Sequence, residues 1–167
     1  MPVTDSDPVD AILEQWRRER PDLDVSPMGV IGRISRLGDE LDARLRPTFA
    51  ASGLGEGEFD VLATLRRSGP GAELTPGELT ASMMVTSGAV SKRLDRLVGA
   101  GLVHRRSSDQ DARSRLVSLT EQGRGLVDAA VEAHLANEER LLAGLSPEER
   151  RQLAGLLRRL TLSLPAG

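Results

Sequence analysis

The residues best suited to bind a charged partner lie close together, between positions 86 and 120. This segment carries seven basic and three acidic side chains, a net charge of +4, whereas the whole chain has a formal net charge of −3. The rest of the chain therefore carries a net charge of −7. Gathered cationic groups attract phosphates, although charge alone is equally compatible with a solvated face. The basic members are Lys92, Arg93, Arg96, Arg105, Arg106, Arg113 and Arg115.

The sequence offers little for catalysis. His104 and His134 are separated by a whole predicted helix, and no nucleophile elbow or phosphate loop occurs. The glycine-rich segment 53–57 precedes a helix and follows no strand, which indicates a plain loop. The chain has no cysteine for a thiolate metal site, and its histidines and carboxylates do not assemble into a clustered set of metal ligands. We therefore predict a protein that is not an enzyme and that needs no cofactor or metal.

Length and composition are typical of a soluble protein. The 167 residues, 39% of them hydrophobic, suit one domain or one module with attached helices. No stretch approaches the roughly 20 apolar residues of a membrane span, and the first ten residues lack the features of a signal peptide, so a cytoplasmic location is expected. The aromatic content of 2% is too low for the stacking platforms of single-strand binders. Duplex is the expected nucleic acid.

The elements that must position the basic residues are helices and one hairpin. Apolar periodicity and the positions of proline and glycine predict helices at 9–20, 58–68, 76–84, 88–100, 121–144 and 147–164. They also predict a long helix from 27 that Pro47 and the 53–57 loop loosen or end. Ser26 is predicted to cap the long helix, and Thr75 and Ser146 begin capping boxes. Two short strands are predicted at 102–106 and 115–119, around a polar tip. The predicted fold is mainly α with a small β wing. This element order is that of a winged helix-turn-helix with additional helices at both ends.

The predicted domain organisation has four parts. They are an N-terminal extension helix (1–25), a dimerisation helix (26–56), a winged helix-turn-helix DNA-binding domain (57–120) and C-terminal dimerisation helices (121–167). The apolar stripes of the flanking helices are too extensive for one small core, which favours a homodimer. A continuous coiled coil is disfavoured because glycine and proline interrupt the heptads.

The predicted helix at 88–100 has the two faces that a recognition helix needs. An inner sector, at 100° per residue, contains Val90, Leu94, Leu97, Val98 and Gly101. Lys92 and Arg96 lie on the opposite side, where they can reach the major groove. Arg113 lies near the wing tip and is suited to a minor groove or phosphates. The predicted DNA-contacting residues are Thr86, Ser87, Gly88, Ser91, Lys92, Arg96 and Arg113.

Several segments together resemble the multiple-antibiotic-resistance-regulator (MarR) family. They are 58–67, 74–84, 86–102, the Asp111-Ala112-Arg113 tip and 117–123. The resemblance covers most of the chain in the same order. It implies a triangular dimer joined by its terminal helices, with a winged helix of each subunit on a pseudo-palindromic operator. It also implies a repressor that a small ligand releases. Gln110 and Ala112 replace arginines frequent in the family, so fewer phosphate contacts are expected there.

A narrower resemblance is to the urate-responsive subgroup of that family, which has an extra N-terminal helix bearing a tryptophan. Trp16, the sole tryptophan, lies in such a helix, and Asp60, Arg67 and Arg93 match the subgroup's spacing. The resemblance implies an anionic purine that stacks on Trp16 and is held by Arg67, displacing Asp60 and drawing Arg93 inward. Independently, Asp60 and Arg67 are seven residues apart and so share a helix face, with Thr64 between them.

Other interpretations stay open at this point. Trp16 could simply anchor its helix, Asp60 and Arg67 could form a solvated stripe, and Arg93 could bind a phosphate. The ligand could be a phenolic carboxylate or a tricarboxylate instead of urate. The protein could activate transcription, or it could be a helical protein-interaction module with no DNA role.

Overall fold

The computed structural model describes residues 6–83, 90–107 and 115–165. Within these ranges the chain forms helices and one two-stranded antiparallel hairpin, which confirms the predicted fold class. The elements are α1 (Pro8–Glu19), α2 (Ser26–Ala51), α3 (Glu56–Arg67), α4 (Pro76–Ser82), α5 (Val90–Gly99), β1 (Val103–Ser107), β2 (Arg115–Leu119), α6 (Glu121–Leu141) and α7 (Pro147–Ser163). Among the described residues, no helix is both long and apolar enough to cross a membrane.

Local signals determine several helix ends. Thr75 caps α4, because its Oγ1 accepts a hydrogen bond from the Glu78 N–H at 3.2 Å. The Glu78 carboxylate accepts the Thr75 N–H at 2.7 Å in return, and this backbone hydrogen bond lowers the pKa of Glu78. Ser146 and Glu149 repeat the arrangement at α7. Gly101 follows α5 with φ +69°, a left-handed conformation that favours glycine.

One predicted detail of α2, its cap, is wrong. The helix continues through Pro47 to Ala51, so it ends just before the 53–57 loop and not at the proline. A proline inside a helix sacrifices one hydrogen bond, but burial of Phe49, 5% exposed, stabilises the last turn. Ser26 is the first helical residue and not the cap. The Asp24 carboxylate instead accepts hydrogen bonds from the Ser26 N–H and hydroxyl, at 2.9 and 3.0 Å.

The chain divides into two compact units, Met1–Arg44 and Leu45–Gly167. The first has a small apolar core, made of Val9, Leu13 and Val25. Arg33 of α2 holds the start of α1, with nitrogen–oxygen distances of 2.7 Å to Asp7 and 2.6 Å to Asp10. The hydrogen bond from Arg33 lowers the pKa of Asp7.

The second unit is built around α3. Its buried core includes Val61, Leu62 and Leu65 of α3, all at most 1% exposed. The hairpin joins this core through Val103 and Val117, in a register that pairs Val103 with Leu119. The Phe49 and Phe59 rings stack with centroids 4.7 Å apart. This core fixes α5 and the hairpin relative to α3.

Candidate functional site

The inner side of α5 docks on the core through one row of side chains. Val90, Leu94 and Leu97 are buried, at 8%, 0% and 2% exposure. Their spacing of four and three residues places them on one helix face. Val98, which was predicted to share this face, is 40% exposed. The prediction was wrong because the buried row is narrower than the predicted sector and leaves Val98 beside it.

The opposite side of α5 presents polar and cationic groups to solvent. Ser91, Lys92 and Arg96, here called the outer face of α5, are all exposed. Lys92 has no ion-pair partner among the described residues. The Arg96 Nε lies 2.9 Å from the Glu58 Oε1 on α3, although the arginine side chain is 69% exposed. The four other predicted DNA contacts lie outside the described residues; they are Thr86, Ser87, Gly88 and Arg113.

Acidic neighbours neutralise part of the basic segment. The Arg106 guanidinium donates two hydrogen bonds to the Glu73 carboxylate, at 2.7 and 2.6 Å, and lowers the pKa of Glu73. The Arg105 Nη1 lies 2.9 Å from the Asp95 Oδ1. The net charge counted along the sequence therefore overstates the positive potential of the hairpin.

A row of four non-aliphatic residues runs along one face of α3. It consists of Gly57, Asp60, Thr64 and Arg67, whose spacing of three, four and three residues places them on one face. Asp60 is 7% exposed and Thr64 is fully buried. The Thr64 hydroxyl donates to the Asp60 carbonyl at 2.7 Å. We call these four residues the α3 polar stripe.

Arg67 forms the C-terminal end of the stripe. Its Nη1 lies 4.0 Å from the Asp60 Oδ1, and its Nη2 donates to the Ser82 carbonyl at the end of α4. The Arg67 side chain is 43% exposed, whereas that of Asp60 is 10% exposed. Arg67 therefore presents the planar donors of its guanidinium partly to solvent, beside a buried carboxylate.

Arg93 of α5 lies at the N-terminal end of the stripe. Its guanidinium packs over Gly57, and its Nη1 is buried without a hydrogen-bond partner. A Cβ added to Gly57 would lie less than 3.0 Å from three atoms of this side chain, Cζ, Nε and Nη1. Arg93 is thus directed toward α3, while Arg96, one turn further along α5, is largely exposed to solvent.

Trp16 belongs to the first unit, and Asp60, Arg67 and Arg93 belong to the second. The Trp16 side chain is 42% exposed, and the residues of α1 that pack in the small core are Val9 and Leu13. An exposed indole is available for stacking on a planar ligand.

Sequence reasoning missed two residues that hold α5 in place. Gly57 lies three residues before Asp60, so helical periodicity could have assigned it to the same face. Glu58 accepts the Gly55 N–H at 2.9 Å as well as pairing with Arg96. The capping role of Glu58 could have been predicted from its position three residues after Gly55, but its ion pair with Arg96 could not. No group of three acidic, histidine or cysteine side chains in the described ranges could hold a metal ion.

A short helix, a second amphipathic helix with a cationic outer face, and a hairpin define a winged-helix DNA-binding protein. Residues 52–114 match the model of the MarR family. The transcriptional regulator PecS of Dickeya dadantii is 42% identical over 90% of this chain and 91% of its own length. The chain belongs to the MarR family, and it is a transcriptional regulator, not an enzyme.

Two solved structures of DNA-binding regulators are similar to this chain in fold. A cysteine-to-serine mutant of E. coli MarR in complex with operator DNA has a TM-score of 0.70 and 26% identity, covering 90% of this chain and 98% of that one. Bordetella bronchiseptica BpsR, whose DNA binding is regulated by 6-hydroxynicotinic acid, has a TM-score of 0.70 and 26% identity. That match covers 80% of this chain and 98% of BpsR.

Proposed function

We propose that this chain is a dimeric repressor that binds a pseudo-palindromic duplex operator and is released by a small aromatic anion, with urate as the first candidate. One observation carries the proposal. Helix α5 presents Ser91, Lys92 and Arg96 to solvent on one side and directs Arg93 onto α3 on the other. A single rigid element therefore connects the DNA-facing groups to the α3 polar stripe.

The proposed DNA contacts combine positioning and readout. Lys92 and Arg96 suit phosphates or guanine edges in the major groove, and Ser91 is small enough for close approach. Thr86, Ser87, Gly88 and the wing residue Arg113 complete the set that the sequence predicts. The operator complex of E. coli MarR supports duplex DNA as the partner.

The proposed dimer uses the terminal helices. Helix α7 is 17 residues long and has no buried residue, although Leu156 and Leu162 are 54% and 79% exposed. On α2, Val30 and Ile31 are 56% and 59% exposed. Apolar faces of this extent favour a partner, and a second copy of the chain is the one that operator symmetry requires. These helices lie in the segments 26–56 and 121–167 predicted to dimerise.

The proposed ligand site uses Asp60, Arg67 and Arg93, and the sequence resemblance alone adds Trp16. An anion that binds the half-exposed Arg67 competes with the Asp60 carboxylate 4.0 Å away. Because Asp60 and Gly57 are one turn apart, displacing Asp60 alters the charge near Arg93. Arg93 lies on α5, so the change reaches the DNA-facing helix. Stacking on Trp16 favours an aromatic anion, and the ligand of BpsR supports that class.

The first experiment measures DNA release by fluorescence anisotropy. A labelled duplex from upstream of the chain's own gene is titrated with protein, against scrambled competitor and at several salt concentrations, and urate is then added. We expect tight, salt-sensitive binding that urate reverses in the wild type but not in Arg67→Gln or Trp16→Ala. The matched control is Arg66→Gln on the same helix, because Arg66 pairs with Asp128 at 2.6 Å.

Three further measurements distinguish this proposal from a different ligand, from activation and from a protein-interaction module. Release by 6-hydroxynicotinate, salicylate or citrate but not by urate would contradict urate and identify a different anion class. A reporter gene that is induced by the protein itself would contradict repression in favour of activation. Failure to select any duplex from a random pool would contradict the DNA-binding proposal and favour a protein-interaction module.

A further inference from the structure

The residue that holds Arg93 in place is a glycine with no other evident task. Gly57 lies in the first turn of α3, and its backbone φ is not in the left-handed region, so the turn itself does not require glycine. Alanine is preferred over glycine by roughly 0.5–1 kcal/mol inside helices. A cause other than helix geometry must favour glycine here.

Packing supplies that cause. The Arg93 guanidinium occupies the space that a side chain at position 57 would need, since an added Cβ would lie less than 3.0 Å from its Cζ, Nε and Nη1. The obstructing atoms are the far end of a flexible side chain and not backbone. An alanine at 57 would therefore move Arg93 without disturbing α3. Arg93 is partly exposed, so solvent beside Lys92 is open to the displaced guanidinium.

We propose that Gly57 is the positioning residue that keeps Arg93 directed onto α3 and thereby couples the α3 polar stripe to the recognition helix. The coupling to a ligand rests on the proposed function, whereas the contact between Gly57 and Arg93 does not. With Gly57 present, the cation of Arg93 packs on a residue one helical turn before Asp60. With alanine at position 57, the Arg93 guanidinium lies with the cations of the outer face of α5 and no longer contacts the α3 polar stripe.

The test is a double-mutant cycle between Gly57→Ala and Arg93→Ala. The matched control is Gly125→Ala, a helical glycine of α6 whose added Cβ would meet nothing within 4 Å. The readouts are the DNA dissociation constant, its salt dependence, the melting temperature and the factor by which urate weakens DNA binding. Quenching of Trp16, the sole tryptophan, reports urate binding separately from DNA release.

We expect Gly57→Ala to bind DNA about 3- to 10-fold more tightly, with a log–log salt slope steeper by about 0.9 for each added phosphate contact. Urate should still quench Trp16 with a dissociation constant within about threefold of wild type, but its effect on DNA binding should fall to within about twofold of none. In the Arg93→Ala background, Gly57→Ala should change none of these values. Gly57→Ala should melt at or above the temperature of the wild type, and the double variant at or above that of Arg93→Ala.

Other results would overturn the proposal. If Gly57→Ala matches Gly125→Ala in DNA affinity and salt slope, Gly57 does not position Arg93. If Gly57→Ala has the same effect with and without Arg93, glycine acts through something else. If wild type ignores urate and the other anions, the ligand part of the proposed function fails. The DNA affinity and salt slope of the cycle still decide whether Gly57 and Arg93 are coupled.

Discussion

The outer face of α5 and the α3 polar stripe are both polar, but they differ in how their side chains are held. On the outer face, Arg96 is 69% exposed, and Lys92 is exposed without an ion-pair partner among the described residues. In the stripe, Thr64 is fully buried and Asp60 is 7% exposed, and Arg93 packs on Gly57.

This difference indicates separate physical roles. Exposed cations contribute little to folding, but they bind DNA by releasing counterions. Buried polar groups stabilise the fold only while their hydrogen bonds are made. Changes on the outer face should therefore alter DNA affinity at constant stability, and changes at the buried polar members of the stripe, Asp60 and Thr64, should alter stability or ligand response.

The largest effect is expected on the outer face. Lys92→Glu should weaken DNA binding roughly 100-fold, because both subunits of a dimer lose an attraction and gain a repulsion. The melting temperature should stay within about 2 °C, since Lys92 is exposed and forms no ion pair with any residue that the structure describes. Anisotropy titrations and thermal melts measure the two quantities. Arg18→Glu on α1 makes the same charge change outside the winged helix, and an equal loss there would mean that net charge, not this face, governs affinity.

The next effect concerns the interior of the stripe. Thr64→Val keeps the side-chain shape but removes the hydrogen bond to the Asp60 carbonyl, and should destabilise the protein by about 1 kcal/mol. For a chain of this size, that lowers the melting temperature by about 2–4 °C. DNA affinity should not change.

Thr80→Val is the matched control for the buried threonine. Thr80 makes the same bond to the carbonyl four residues back, that of Pro76 at 2.8 Å, but lies on the surface. Its loss should change stability by less than about 0.5 kcal/mol. Equal losses at the two threonines would remove the distinction between a buried stripe and an exposed polar surface.

A smaller effect is expected where the two regions meet. Glu58→Gln releases Arg96 from its ion pair and keeps a side chain that can still cap α3. DNA binding should become about 2- to 3-fold tighter, with stability within about 0.5 kcal/mol. Glu56→Gln removes the same charge two residues earlier in α3, where no ion pair with Arg96 is lost. A tightening of the same size in both variants would show that Arg96 is not restrained by Glu58.

The smallest effect is a pH dependence at the hairpin. Arg106 lowers the pKa of Glu73 below its usual 4.5, so the pair stabilises the fold above about pH 4.5 and is lost as the pH falls through the lowered value. Thermal melts of wild type and Glu73→Gln between pH 6 and pH 3 should differ at pH 6 and converge toward pH 3. A gap that widens with acid would contradict the assigned ion pair.

Much of the fold follows from local sequence, and the exceptions have physical causes. The capping boxes at Thr75 and Ser146 and the end of α5 before Gly101 depend on neighbouring residues, and all three were predicted. Local sequence left open whether Pro47 or the 53–57 loop ends α2, because the continuation past the proline depends on burial of Phe49 in a core assembled from distant segments. Val98 was misplaced for a similar reason, since periodicity gives the centre of a buried face but not its width.

The sequence by itself determined the element types, the cationic side of the recognition helix and the membership of a DNA-binding family. These properties depend on residues within one or two helical turns of one another. Tertiary structure alone decided which charges are neutralised, such as Arg106 by Glu73, 33 residues away. It also decided that Arg93 packs on Gly57 and not in solvent. Ion pairs and steric contacts fall off over a few ångströms, so distances between remote segments decide them.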